Sequence, residues 1–367
     1  MKPDATAPNP LARIRQDVQS MHAYAVQDST GLLKMDAMEN PHRLPPALQD
    51  ELGRRLGAVA INRYPGARVD ELKAALHAYA APPAGWSLML GNGSDELISL
   101  LAMACDIPGA SIVAPVPGFV MYAMSAQLQG LAFHGVPLTA DFALDETAMR
   151  AAIATHRPAI LYLAYPNNPT GTLWDAGVIA RLIAAQAAQG GLVVMDEAYQ
   201  PFAARSWIEN ARAAPDAHRH VLIMRTLSKF GLAGVRIGYM LGDAALIAEV
   251  DKVRPPYNVS VLNAECALFA IEHADVFAAQ AADIRAQRAA LVDALGQLPG
   301  VTPYPSEGNM LLVRVPDAAR AFDGMKARQV LIKNVFRMHP LLAHCVRLTV
   351  GTADENAQML AALEASL

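Results

Sequence analysis

The sequence predicts an α/β protein whose main body is a mostly parallel sheet covered on both faces, followed by a smaller α+β C-terminal domain. Three observations support this. Short apolar runs recur at Ser111 to Ala114, Ala159 to Ala164, Leu192 to Met195, Val221 to Met224 and Ile237 to Leu241, each of buried-strand length. Alanine-rich stretches of helical length, such as Ala176 to Ala188, lie between them, and strands separated by helices pair in parallel. After Pro255-Pro256-Tyr257-Asn258 the pattern changes to a long alanine-rich helical region from about Val261 to Leu295, then to strands at Met310 to Val315 and Cys345 to Val350.

With 367 residues the chain exceeds the size, about 250 to 300 residues, at which a single core stops growing. The expected division is an arm over 1–47, a large domain over 48–260 and a small domain over 261–367. A net charge of −4 leaves no general basic field for nucleic acid or an anionic membrane. The longest strongly apolar runs, such as Leu97 to Cys105, are too short to cross a bilayer. Residues 1–10 hold Lys2, Asp4 and three prolines where a secretory signal needs an apolar core, so a cytoplasmic location is expected. The three cysteines form no C-x-x-C pair and the ten histidines give no H-E-x-x-H spacing; no metal site is expected.

In order along the chain, the arm shows helical periodicity only around Leu11 to Val18 and ends its Lys34 to Pro41 stretch in an Asn-Pro turn signal. Val69 to Tyr79 places Leu72, Leu76 and Tyr79 on one helical face. Leu88-Met89-Leu90 then leads into Gly91-Asn92-Gly93-Ser94-Asp95-Glu96, a glycine turn opening a helix with acids in its first turn. Such a turn presents free backbone N–H groups to an anion. It is neither a Walker loop nor G-x-G-x-x-G, and an ordinary helix start explains it equally well.

Ligands of open α/β sheets collect beyond the carboxyl ends of the strands, and three strands end in polar sequence. The first is followed by Tyr165-Pro166-Asn167-Asn168-Pro169-Thr170-Gly171. The second ends in Asp196-Glu197-Ala198-Tyr199, where a carboxylate closing an apolar strand calls for a positive partner or serves as a local cap. The third leads into Arg225-Thr226-Leu227-Ser228-Lys229-Phe230-Gly231, which sets a lysine between a buried strand and a tight turn. A lysine so placed is a candidate to capture a carbonyl covalently.

Asn168, Asp196 with Tyr199 three residues on, and Ser228-Lys229, spaced by 28 and 33 residues, resemble the fold-type-I pyridoxal-phosphate aminotransferases. The similarity runs from about Tyr24 to Thr352. It narrows to the histidinol-phosphate aminotransferases on Asp36-Ala37-Met38-Glu39-Asn40-Pro41, Arg63-Tyr64-Pro65, Gly93-Ser94-Asp95-Glu96, Asp196 to Phe202 and Arg347 to Thr352.

The resemblance implies pyridoxal 5'-phosphate as cofactor and assigns roles. Lys229 holds the cofactor aldehyde and later moves a proton. Asp196 keeps the pyridine nitrogen protonated. Tyr199 and Asn168 hydrogen-bond the ring's phenolic oxygen, and Phe119, where tyrosine is commoner, stacks on the ring. The cofactor phosphate meets the N–H groups of Ser94 and Asp95, with Ser228, Thr226 and Arg236. Tyr64 completes that cup from a second subunit, which implies a homodimer with shared sites. Arg347 binds the substrate's anionic end, aided by Tyr24 and by Lys333, which stands where arginine is usual. Asn309 matches a small-domain asparagine with no assigned role.

Two departures stand out. Met38 replaces the usual asparagine, and the segment after Lys229 is one residue shorter; both are expected to leave the reacting atoms untouched, the second affecting the placement of Arg236. The implied reaction interconverts L-histidinol phosphate and 2-oxoglutarate with imidazole acetol phosphate and L-glutamate, in histidine biosynthesis. An aromatic amino-acid aminotransferase and a phosphothreonine decarboxylase are the alternatives.

Overall fold

The computed structural model describes residues 9–21 and 27–367. Two compact units span Met1–Thr30 and Gly31–Leu367. The described part of the first holds a 3-10 turn, Pro10–Arg13, capped by the Asn9 side chain, and a one-turn helix α1 (Gln16–Gln19). Tyr24 lies outside the described residues.

The second unit is built on two sheets. In chain order its strands are β1 (Leu33–Met35), β2 (Trp86–Asn92), β3 (Ser111–Val116), β4 (Ala132–Pro137), β5 (Ile160–Ala164), β6 (Leu192–Asp196), β7 (Val221–Thr226), β8 (Ile237–Asp243), β9 (Thr302–Pro303), β10 (Met310–Arg314), β11 (Val330–Asn334) and β12 (Cys345–Thr349). The larger sheet has the order β2-β8-β7-β6-β5-β3-β4 and the smaller β1-β11-β12-β10-β9. In the larger, β4, β3, β5, β6 and β7 run parallel, while β8 is antiparallel to both β7 and β2. The mostly parallel expectation therefore holds: of the seven strands only β8 is reversed, and β2, antiparallel to β8, runs in the direction of β7.

Helices α2 (Pro46–Gly57), α3 (Ala67–Ala80), α4 (Ser94–Ala104), α5 (Met121–Gln129), α6 (Glu146–His156), α7 (Ala176–Ala187), α8 (Trp207–Ala213) and α9 (Ala244–Asp251) accompany the larger sheet, and α10 (Val261–Glu272), α11 (Ala274–Gly296), α12 (Ala318–Ala327) and α13 (Ala353–Glu364) follow. The long helical region expected from Val261 is two helices, broken at His273 between α10 and α11. The expected arm over 1–47 carries β1, which pairs in parallel with β11 as an edge strand of the smaller sheet.

Strand alternation explains the core. Leu161, Leu163, Val193, Met195, Val221 and Ile223 face one apolar cluster, while Ile160, Tyr162, Val194, Leu222 and Met224 face another. Successive side chains point to opposite faces, so strands buried on both faces read as continuous apolar runs. The smaller sheet closes a third cluster on Leu311, Val313, Ile332, Val346 and Leu348 with α12 and α13. Five consecutive strand positions stay buried in β5, and the polarity begins where the strand ends. This puts the chemistry at the carboxyl edge.

Candidate active site

One cavity of about 360 Å³ lies at the carboxyl ends of β5, β6 and β7, and its lining includes Asn168, Asp196, Tyr199, Thr226, Ser228 and Lys229. The volume lies within the range of roughly 300–1,000 Å³ typical of small-ligand sites. Ser94, Asp95, Phe119 and Arg236 share the same lining. These ten predicted site residues thus converge from five segments well separated in sequence.

Lys229 sits in a wide turn, Ser228–Leu232, immediately after β7; Gly231 within it has φ 140°, a backbone state that favours glycine. Its Nζ donates to the Ala37 carbonyl at 2.8 Å. Burial pushes the amine down to about 8, and the Arg347 charge adds to that effect. A larger fraction of it is therefore neutral at physiological pH than of an ordinary lysine.

Asp196, closing β6, is buried. It accepts from Tyr122 Oη at 2.6 Å and from the Ala198 N–H at 3.1 Å. Burial pushes its carboxyl up to about 6, against the lowering effect of both hydrogen bonds. The positive partner expected from the sequence is not a protein side chain among the described residues: both donors, Tyr122 and the Ala198 N–H, are neutral, and Asp196 lines the cavity. A protonated ring nitrogen fits that demand. Tyr122, missed in the sequence, stacks on Tyr162 at 4.2 Å and 8°. Its position three residues after Phe119, at the start of α5, was the available signal.

The anion cup is assembled by close backbone approach. The first turn of α4 begins at Ser94 after Gly93, whose φ is 80° and whose Cβ would stand 2.7 Å from Arg236 Nη2. Gly238 on β8 lets that turn lie against the strand, since a Cβ there would stand 2.6 Å from Gly93 C and Ser94 N. Thr226 Oγ1 donates to Ser228 Oγ at 2.9 Å, and Arg236 Nη1 donates to the same Ser228 Oγ at 3.3 Å. Arg236 Nη2 lies 3.5 Å from Asp95 Oδ2. The shortened turn after Lys229 brings Arg236 into the cavity lining, with the residue in a left-handed conformation at φ 56°. Backbone N–H groups, hydroxyls and a guanidinium form a donor set suited to a phosphate.

Arg347 on β12 is 5% exposed; Nη1 donates to Asn168 Oδ1 and Nη2 to the Asp36 carbonyl, both at 2.6 Å. It stands behind Asn168, outside the cavity lining. Lys333 on β11 is its register partner across the smaller sheet. Tyr64 is 77% exposed and stacks on Tyr257 at 4.4 Å, away from this chain's own cavity.

Met38 does not stand clear of the reacting atoms as expected. It lines the cavity, and Tyr199 Oη donates to its Sδ at 3.2 Å. The Asp36 to Asn40 segment crosses the cavity edge, fixed by Arg347, Asn309 and Thr349 on one side and by Lys229 on the other, which carries position 38 inward. The buried Glu197–Arg225 pair, with Arg225 Nε 2.9 Å from Glu197 Oε2 and Ser206 bridging, was also unseen in the sequence.

Residues 30–363 match the family Aminotransferase class I and II. The chain is 71% identical over 358 residues to the histidinol-phosphate aminotransferase of Acidovorax sp. (strain JS42), covering 97% of each. The chain belongs to the histidinol-phosphate aminotransferase family. A second relative of that name, from Polaromonas naphthalenivorans (strain CJ2), is 68% identical over 366 residues, covering 100% of this chain and 99% of its own. Among solved structures, the histidinol-phosphate aminotransferase of Sinorhizobium meliloti in complex with pyridoxal-5'-phosphate aligns with a TM-score of 0.82 at 24% identity, covering 96% of this chain and 97% of that one. This last likeness carries the fold of the aminotransferase; the first two carry its family.

Proposed function

We infer that the enzyme, with pyridoxal 5'-phosphate bound in this cavity, exchanges an amino group between L-histidinol phosphate and 2-oxoglutarate, giving imidazole acetol phosphate and L-glutamate in histidine biosynthesis. The observation that carries the reading is the convergence, in one cavity, of a lysine pushed down to about 8 and a buried carboxyl that lacks a protein cation among the described residues. The family relationship selects the substrate.

Bound there, the cofactor supplies an aldehyde that captures amines and a ring that withdraws electrons from the reacting carbon. Lys229 would hold it covalently, and its amine, neutral when free, would serve to move a proton at the reacting carbon. Asp196 would pair with the ring nitrogen, held in place by the Tyr122 hydroxyl. Tyr199 and Asn168 would donate toward the ring oxygen, and Phe119 would cover the ring. The Ser94 and Asp95 N–H groups, Thr226, Ser228 and Arg236 would hold the phosphate. Arg347, with Lys333 beside it, receives the substrate's anionic end by charge-assisted hydrogen bonds; Tyr24 is proposed to join them.

The enzyme is a cytoplasmic homodimer in this account, with Tyr64 of each subunit completing the partner's phosphate cup. The exposed Tyr64–Tyr257 stack and the neighbouring Ile61, 73% exposed, support such a contact. A panel of half-reactions tests the substrate. Histidinol phosphate should convert the coloured holoenzyme to its aminated form, and 2-oxoglutarate should restore it. Much faster conversion by phenylalanine or tyrosine, or carbon dioxide released from phosphothreonine, would overturn the assignment.

A further inference from the structure

Met38 is 7% exposed and Tyr199 4% exposed, and both line the cavity that holds Lys229. The methionine is aimed by its backbone. Its N–H donates to Thr349 Oγ1 at 3.1 Å, its carbonyl accepts from Asn309 Nδ2 at 2.9 Å, and its φ is 55°, a conformation uncommon outside glycine. The side chain is thereby directed at Tyr199, whose hydroxyl donates to Sδ at 3.2 Å. Burial holds this phenol above its ordinary range, so it remains a neutral donor. A phenol carries one proton to donate.

We propose that Met38 is a positioning residue for Tyr199, its thioether competing with the cofactor's phenolic oxygen for the single hydroxyl proton. The inference rests on the functional reading above. Loss of a proton from the lysine–cofactor linkage leaves the ring oxygen as an anion without its internal partner, and a phenol donor stabilises that state. Stronger donation by Tyr199 therefore lowers the pH at which the bound cofactor changes between its two absorbing forms. A stronger acceptor at position 38 raises it. The charged groups facing Tyr199 are Arg347, Asp196 and Asp95; Lys229 is faced by Arg347, Glu39, Asp95 and Arg236. Substitutions at position 38 leave all of them in place.

The test is a spectrophotometric pH titration of the purified holoenzyme beside Met38→Leu and Met38→Gln, each also made with Tyr199→Phe. Leucine keeps the bulk without an acceptor, and glutamine keeps the length with a stronger one. The midpoint is expected to fall by about half a pH unit in Met38→Leu, roughly threefold in the equilibrium, and to rise in Met38→Gln. With Tyr199→Phe the midpoint should rise and cease to respond to position 38. Should Met38→Leu fail to fold, the Met38→Gln pair decides alone. Any other order of midpoints, or equal shifts with and without the Tyr199 hydroxyl, would overturn the proposal. A wild-type holoenzyme without lysine-bound cofactor would instead overturn the functional reading, and the inference with it.

Discussion

Tyr122→Phe removes one oxygen and should weaken catalysis through Asp196. The hydroxyl donates to Asp196 Oδ2 at 2.6 Å in a buried setting, and the phenyl ring left behind keeps the stack on Tyr162. A hydrogen bond to a charged acceptor contributes about 1.5–3 kcal/mol, and a pH unit corresponds to about 1.4 kcal/mol. Without it the Asp196 carboxyl, already pushed up to about 6, should climb by about one to two units. The bound ring nitrogen pulls it back, so the expected result is roughly a tenfold fall in kcat with KM little changed. The acid limb of the kcat profile should move up by about one pH unit. Steady-state kinetics from pH 5 to 9 on the purified holoenzyme would measure both. An unchanged acid limb with a lowered melting temperature would show that Tyr122 is structural, refuting the reasoning.

Three further outcomes are expected. Asp196 has a folded pKa of about 6 against 3.8 for the ordinary group, so its contribution to stability is complete below about pH 4 and is lost as pH rises through about 6. Cofactor-free Asp196→Asn should accordingly be more stable to urea at pH 7.5, by up to roughly 3 kcal/mol, with no gain at pH 4, while binding cofactor more weakly. Because Lys229 is pushed down to about 8, covalent capture of saturating cofactor by the apoprotein should accelerate with pH and level off near 8; acceleration continuing to pH 10 would contradict this. Gly238→Ala would set a Cβ against the backbone of Gly93 and Ser94, so equilibrium dialysis should show cofactor affinity reduced by about tenfold or more, about 1.4 kcal/mol.

What the sequence made legible follows from burial. Strands β5, β6 and β7 are buried on both faces, so Ile160 to Ala164 and its neighbours stand out as apolar runs, and the polar residues that terminate them mark the site. Strand β4 went unseen because it is an edge strand with His134 and Gly135 at its centre and only Val136 buried. Strand β1 has three residues and takes its identity from its pairing with β11, a partner nearly 300 residues away. The same non-locality hid Tyr122, whose role depends on Asp196, and placed Met38 against Tyr199. Local sequence shows which groups sit at strand ends; it does not show which side chain from a distant helix or loop meets them.

The most direct measurement is borohydride reduction of the holoenzyme, proteolysis and mass spectrometry of the cofactor-bearing peptide. The cofactor is expected to be fixed to Lys229 alone, and prior treatment with L-histidinol phosphate in the absence of 2-oxoglutarate is expected to abolish this labelling. Label on another lysine, or label on Lys229 that histidinol phosphate leaves undiminished, would contradict this.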